Sequence, residues 1–188
     1  MVRGRAFAAA LRLVTSASLL LVSTAGATVV LPADFATVVD GSQAIVHGRV
    51  SDVRSLMAGD RRSIYSLVTV TVQEVLKGAR TSTVTFRVPN GQVGRYRRVV
   101  VGAPEFARGD EVVVFLSGQA PAVPAPFGLN QGVYRVGRSA DGRSIVAPPP
   151  VLARGVDAER VVRGDPARVP MELAAFVREV RRRAEALP

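Results

Sequence analysis

The sequence predicts a mainly β fold: a small antiparallel OB-like barrel of five to six strands, preceded by a cleaved N-terminal signal helix and followed by a C-terminal α-helix. Three observations lead there. β-branched residues alternate with polar ones over residues 63–76 and again over 83–88, the period of a half-buried strand. Beyond Pro148, Pro149 and Pro150 the apolar spacing changes from two to that of a helix. At the start, Arg3, Arg5 and Arg12 flank an apolar run over residues 13–22, with Ala25, Gly26 and Ala27 behind it. A basic stretch, a short apolar helix and small residues make a secretory signal peptide.

The elements follow in order. The apolar run of residues 13–22 is too short to anchor stably in hydrocarbon, so cleavage is expected near Ala27, leaving a periplasmic or extracellular product with no stable transmembrane span. Processing removes three arginines and no acids, which lowers the net charge from +10 to +7. Residues 28–152 form the barrel domain, and residues 153–188 a linker and the helix. Pro32 suits the first turn of a short helix over 32–39. Residues 44–54 alternate as a strand, with His47 on the face opposite Val46 and Val50 and partly exposed there. A polar loop is expected at 56–62, the long strand at 63–76, and a break at Lys77 and Gly78.

Val84, Phe86 and Val88 give the next strand its inner face. Pro89, Asn90 and Gly91 mark a turn, and Val99, Val100 and Val101 belong to a further strand over 96–101. Phe106 covers one end of the core. The unbroken Val112, Val113, Val114, Phe115 and Leu116 imply burial on both faces. A Pro/Ala loop spans 119–126 with Phe127 exposed beside it, and short strands at 132–136 and 144–147 pair across Asp141 and Gly142. Pro148 to Pro150 end the sheet. From Pro170 on, Leu173, Phe176, Val177, Val180, Ala184 and Leu187 recur at helical spacing. A helix of that length is unstable alone in water, so its stripe needs the sheet or a partner.

The order of these motifs resembles netrin-like modules, the OB-type domains of tissue inhibitors of metalloproteinases and complement proteins. The stretches that carry the likeness are AIVHGRV at residues 44–50, VTVQEVLKG at 70–78 and GDEVVVFL at 109–116. The chain is also similar to exported bacterial proteins of unknown function sharing GAPEF at 102–106 and NQGVYRV at 130–136. The resemblance covers residues 42–137 and implies a barrel. Inhibitors of that class chelate a protease zinc through an N-terminal cysteine, and this chain has no Cys, so that mechanism is not implied here.

Composition narrows the chemistry. The 188 residues are 48% hydrophobic, which excludes long disorder. The lack of Cys and the single His remove thiolate metal sites, thiol catalysis and two-imidazole sites, and no metal or cofactor is expected. No nucleophile elbow or phosphate loop follows a strand. Asp110 and Glu111 are adjacent on a strand, point to opposite faces and cannot flank one bond. Arg87, Arg95, Arg97, Arg98 and Arg108, with Tyr96 among them, form a basic stretch, and Phe127 is a further candidate contact. The same stretch also suits a solvated edge that discourages aggregation.

Export argues against nucleic acid. The expected function is an exported non-enzymatic binding module for a protein partner or an extracytoplasmic, polyanionic polymer. Two alternatives stand beside it: a regulator or inhibitor of a secreted protease that acts without zinc chelation, and a hydrolase whose groups meet only in three dimensions.

Overall fold

The computed structural model describes residues 33–59, 63–118, 121–149 and 168–186. The signal segment 1–27, Pro32, Leu187 and most of the expected linker lie outside them. Along the chain come α1 (Phe35–Asp40), β1 (Ala44–Met57), β2 (Ile64–Lys77), β3 (Thr83–Val88), β4 (Gly91–Val93) and β5 (Tyr96–Arg98). β6 (Glu111–Ser117), β7 (Ala125–Pro126), β8 (Val133–Arg138), β9 (Ser144–Ala147), β10 (Met171–Glu172) and α2 (Leu173–Glu185) complete the described chain.

One antiparallel sheet runs β10-β9-β8-β6-β1-β2-β3, with β7 against β6, and β4 and β5 form a separate ribbon. The strand path is open at β10 and β3, so the sheet does not close into the expected barrel. β1 and β2 are long because Met57 still pairs with Ile64, which shortens the loop expected at 56–62. Register shifts after Ile45, His47 and Val50 in β1 are bulges, and bulges bend a strand and increase its twist. Gly48 lies within one of these irregularities. A Cβ there would sit 2.3 Å from the Thr71 carbonyl oxygen, so only glycine lets the two strands approach this closely.

Along β6 and the near half of β1 the sheet is buried on both faces. On one face Phe115, Tyr134 and Val113 pack with Phe35 and Val39 of α1 and with Phe176 and Val180 of α2. The rings of Tyr134 and Phe176 lie 4.9 Å apart and those of Phe35 and Phe115 6.0 Å, separations at which aromatic pairs gain beyond simple area burial. On the other face Val112, Val114 and Leu116 meet Val46, Val50, Val68, Val70 and Phe86 across the curl of the sheet. β6 therefore has the two-sided burial its unbroken apolar run implies. Phe106 covers this second core edge-to-face against Phe86 at 5.3 Å.

α1 is tied down at both ends, and α2 is tied to α1. Asp34 caps α1 by accepting from the Thr37 backbone N–H at 2.7 Å, and that bond to the ionised form holds its carboxyl below the usual range. At the other end the Lys77 ammonium donates to the Val39 carbonyl at 2.9 Å and to that of Asp40 at 3.3 Å. A cation suits the free carbonyls of a helix C-terminus. The Arg183 guanidinium of α2 pairs with Asp40 of α1. Arg168 lies 3.6 Å over the Phe35 ring while bonding Glu179 at 2.7 Å, which joins the two helices again. The apolar stripe of α2 thus finds the sheet and α1. β10 adds a strand beyond β9, so the prolines end a strand but not the sheet.

Two further expectations are corrected. The strand expected over 96–101 stops at Arg98, and Val99 and Val101 are 64% and 65% exposed. Gly102, at a φ of +82°, and Pro104, which has no N–H, follow at once and prevent the run from joining a ladder. The Pro/Ala loop also contributes a short strand, because Pro126 pairs with Leu116.

Candidate functional site

β4 and β5 form a two-stranded arm laid across the far ends of β1 and β2. Gly94 takes a φ of +56° at the first of the two turn residues between Val93 and Tyr96. That is the position at which a two-residue hairpin turn of this kind requires glycine. A chain of hydroxyls fastens the arm. The Gln92 backbone N–H donates to Ser55 Oγ at 3.1 Å, Ser55 and Ser66 Oγ lie 2.9 Å apart, and Ser66 Oγ donates to the Asn90 carbonyl at 2.8 Å. Each hydroxyl carries one proton, so Ser66 donating to Asn90 obliges Ser55 to donate to Ser66. A Cβ at Gly91 would lie 2.6 Å from Ser66 Oγ and 2.7 Å from Ser55 Oγ, so the fastening also needs that glycine.

An open groove of about 400 Å³ runs beneath the arm between Ser55, Val88, Phe106, Arg97 and Arg98. Its hydroxyls are consumed in the chain just described, the Asn90 and Gln92 amides donate to the Pro104 and Gly94 carbonyls, and Arg97 and Arg98 give the groove its positive charge. Arg97 reaches Glu105 at 3.5 Å with both side chains largely in water, a pairing worth little in stability. Arg95 donates to the Tyr96 hydroxyl at 3.0 Å, and Tyr96 itself is 54% exposed.

The structure gathers four of the seven expected contact residues on this arm: Arg95, Tyr96, Arg97 and Arg98. The other three lie elsewhere. Arg87 alternates with the buried Phe86 and Val88 on β3 and stacks 4.2 Å from the Tyr65 ring centroid, away from the groove face of Val88. Arg108 is paired with Asp52 at 2.8 Å. Phe127 is not exposed. It packs against the helix-side core, and its backbone N–H donates to the Phe115 carbonyl at 2.9 Å. The exposed Val99 and Val101, assigned by the sequence to a strand over 96–101, instead extend the arm surface beyond Arg98.

His47 has a different setting from the one expected. It lies on the face opposite Val46 and Val50 but is only 7% exposed, with Nε2 3.0 Å from Glu111 Oε1. Arg49 holds the other carboxylate oxygen at 2.6 Å and the Gly109 carbonyl at 2.8 Å. Both oxygens of Glu111 are therefore engaged. Asp110 turns elsewhere, accepting from Arg135 at 2.7 Å and from the Ala107 N–H at 2.9 Å. The cluster latches β1 to β6. Direct opposition of Arg49 and Glu111 in the β1–β6 register is the signal that finds it, and that register is invisible in one strand's sequence.

Among the described residues, no group of three or more His, Cys, Asp or Glu side chains is placed to hold a metal ion. No described helix is long and apolar enough to cross a membrane. No protein-family model, curated protein or solved structure matches this chain.

Proposed function

We propose that this protein is an exported, non-enzymatic binding module that recognises a partner of acidic character, a protein or an extracytoplasmic polymer, through the β4–β5 arm. One observation carries the reading. Tyr96, Val99 and Val101 are large apolar side chains held in water within the same few residues that supply Arg95, Arg97 and Arg98. Exposed aromatic and arginine side chains are the types that dominate binding hot spots. Clustered apolar exposure beside one sign of charge fits a contact surface better than a purely solvated edge does. Export rests on the signal-like residues 1–27. An opened OB-like scaffold is supported by the circuit β6-β1-β2-β3, which the Arg87 N–H to Pro124 carbonyl bond of 2.8 Å links toward β7.

The test is affinity capture from the cell envelope and culture medium of the producing organism. The purified protein is compared with a variant carrying R95E, R97E and R98E. The unaltered protein is expected to retain a partner that elutes with added salt, and the variant to lose it. Identical retained sets would overturn the reading. Mass measurement of the protein recovered from the producing cell checks export, with Thr28 expected as its first residue.

A further inference from the structure

We propose that β5 accepts a third strand, an extended acidic segment of a protein partner, in a mode that rests on the arm being the binding surface. In a two-residue hairpin the residues flanking the turn form a hydrogen-bonded pair, and the next pair points its main-chain groups outward. Val93 and Tyr96 flank this turn, and Gln92 faces Arg97. The outward direction is visible on the β4 side, where the Gln92 N–H leaves the ribbon to reach Ser55 Oγ at 3.1 Å. By the same alternation the N–H and C=O of Arg97 point out from the opposite edge. No described residue bonds them.

An open edge is normally guarded by charge, and here the guard has one dominant sign. Arg95, Arg97 and Arg98 meet only Glu105 among described carboxylates within ion-pair distance. Such an edge repels a second copy of itself and attracts an acidic strand. The exposed Tyr96 and Val99 give that strand apolar side chains to lie against. Main-chain bonds then supply affinity, and the arginines and apolar positions supply selectivity, as in other cases of strand addition. The segment this edge fits carries acidic residues interspersed with β-branched ones, since Tyr96 and Arg98 share one face of β5 and Arg97 lies on the other.

The probes are synthetic peptides alternating Glu and Val, one unmodified and two N-methylated at every second amide in one or the other register. A sulfated polysaccharide serves as the charge control. The full-length isotope-labelled protein is titrated with each, and hydrogen exchange of the Arg97 amide is followed. The unmodified peptide is expected to bind, one methylated register to bind at least about tenfold more weakly, and the other to bind nearly unchanged, since a strand uses one edge for each neighbour. Exchange at Arg97 is expected to slow by about tenfold or more on peptide binding.

Equal binding of all three peptides, or equally tight polysaccharide binding without protection at Arg97, would overturn strand addition while leaving the arm as an electrostatic contact. Failure of every peptide to bind at millimolar concentration would overturn it as well. Undiminished peptide binding by the R95E, R97E and R98E variant would instead remove the arm reading itself.

Discussion

The two halves of β1 are continuous in backbone and opposite in circumstance. From Ala44 to Arg49 the strand is laddered to β6, and from Ile45 onward it is laddered to β2 as well, with core residues on both faces. Past Val50 it pairs with β2 alone, its side chains are half-buried or exposed, and it carries the arm through Ser55. The near half is held by apolar packing that is costly to disturb. The far half is held by its ladder to β2 alone, and a few hydroxyl bonds fasten the arm to it. A single strand thus serves as core at one end and as a platform for the arm at the other, because burial rather than secondary structure decides which role a residue plays.

The contrast can be broken most severely at its near end. Phe115→Ala removes a fully buried ring from the aromatic cluster and is expected to cost about 3–5 kcal/mol in denaturant unfolding. Next comes Gly48→Ala, which forces a Cβ against the Thr71 carbonyl and the Val70 side chain. About 1–3 kcal/mol of lost stability is expected from that overpacking, and wild-type stability would show that β1 and β2 can separate freely. At the far end, Ser66→Ala cuts the hydroxyl chain, with a global cost of about 1 kcal/mol. Its sharper readout is faster hydrogen exchange at the Gln92 amide, with the Phe115 amide unchanged.

Smaller effects sharpen the same division. Asp34 and Asp40 are exposed carboxylates with lowered pKa values, the first through the Thr37 N–H and the second through the Arg183 guanidinium. Groups of this sign stabilise the fold above their unfolded pKa, and that contribution disappears as pH falls through the lower folded value. Thermal stability should therefore hold from neutrality to about pH 5 and fall below about pH 4, with Asp40→Asn flattening part of the decline. Smallest of all, Arg98→Glu should leave unfolding within about 0.5 kcal/mol of wild type while weakening partner capture.

Regular alternation made β2, β3 and the two-sided β6 legible in the sequence, and helical spacing did the same for α2. In each case one strand's or helix's own pattern records what it packs against. Other features depend on which strand lies opposite. His47 reads as partly exposed until the β1–β6 register places Glu111, directly opposite Arg49, beside it. Val99 to Val101 read as the end of a strand by their β-branched run, yet the strand stops at Arg98, with Gly102 and Pro104 close behind. Phe127 reads as a loop residue, but its N–H bond to Phe115 draws it inward. Barrel closure failed for the same reason, since nothing in local alternation says whether the last edge meets the first. The arginines of the arm were legible as a cluster, and Arg87 and Arg108 were assigned to it only because sequence proximity does not reveal the side of a strand.

Lys77 is the only lysine in the chain, and its ammonium is spent on the carbonyls that end α1. Acylating reagents, which seek an unprotonated side-chain amine, therefore have one internal target, and they reach it when that side chain lets go of the helix carbonyls. The rate of that modification reads how often the Lys77 side chain releases the end of α1, by mass alone, while the arginine-bearing arm offers no amine of its own.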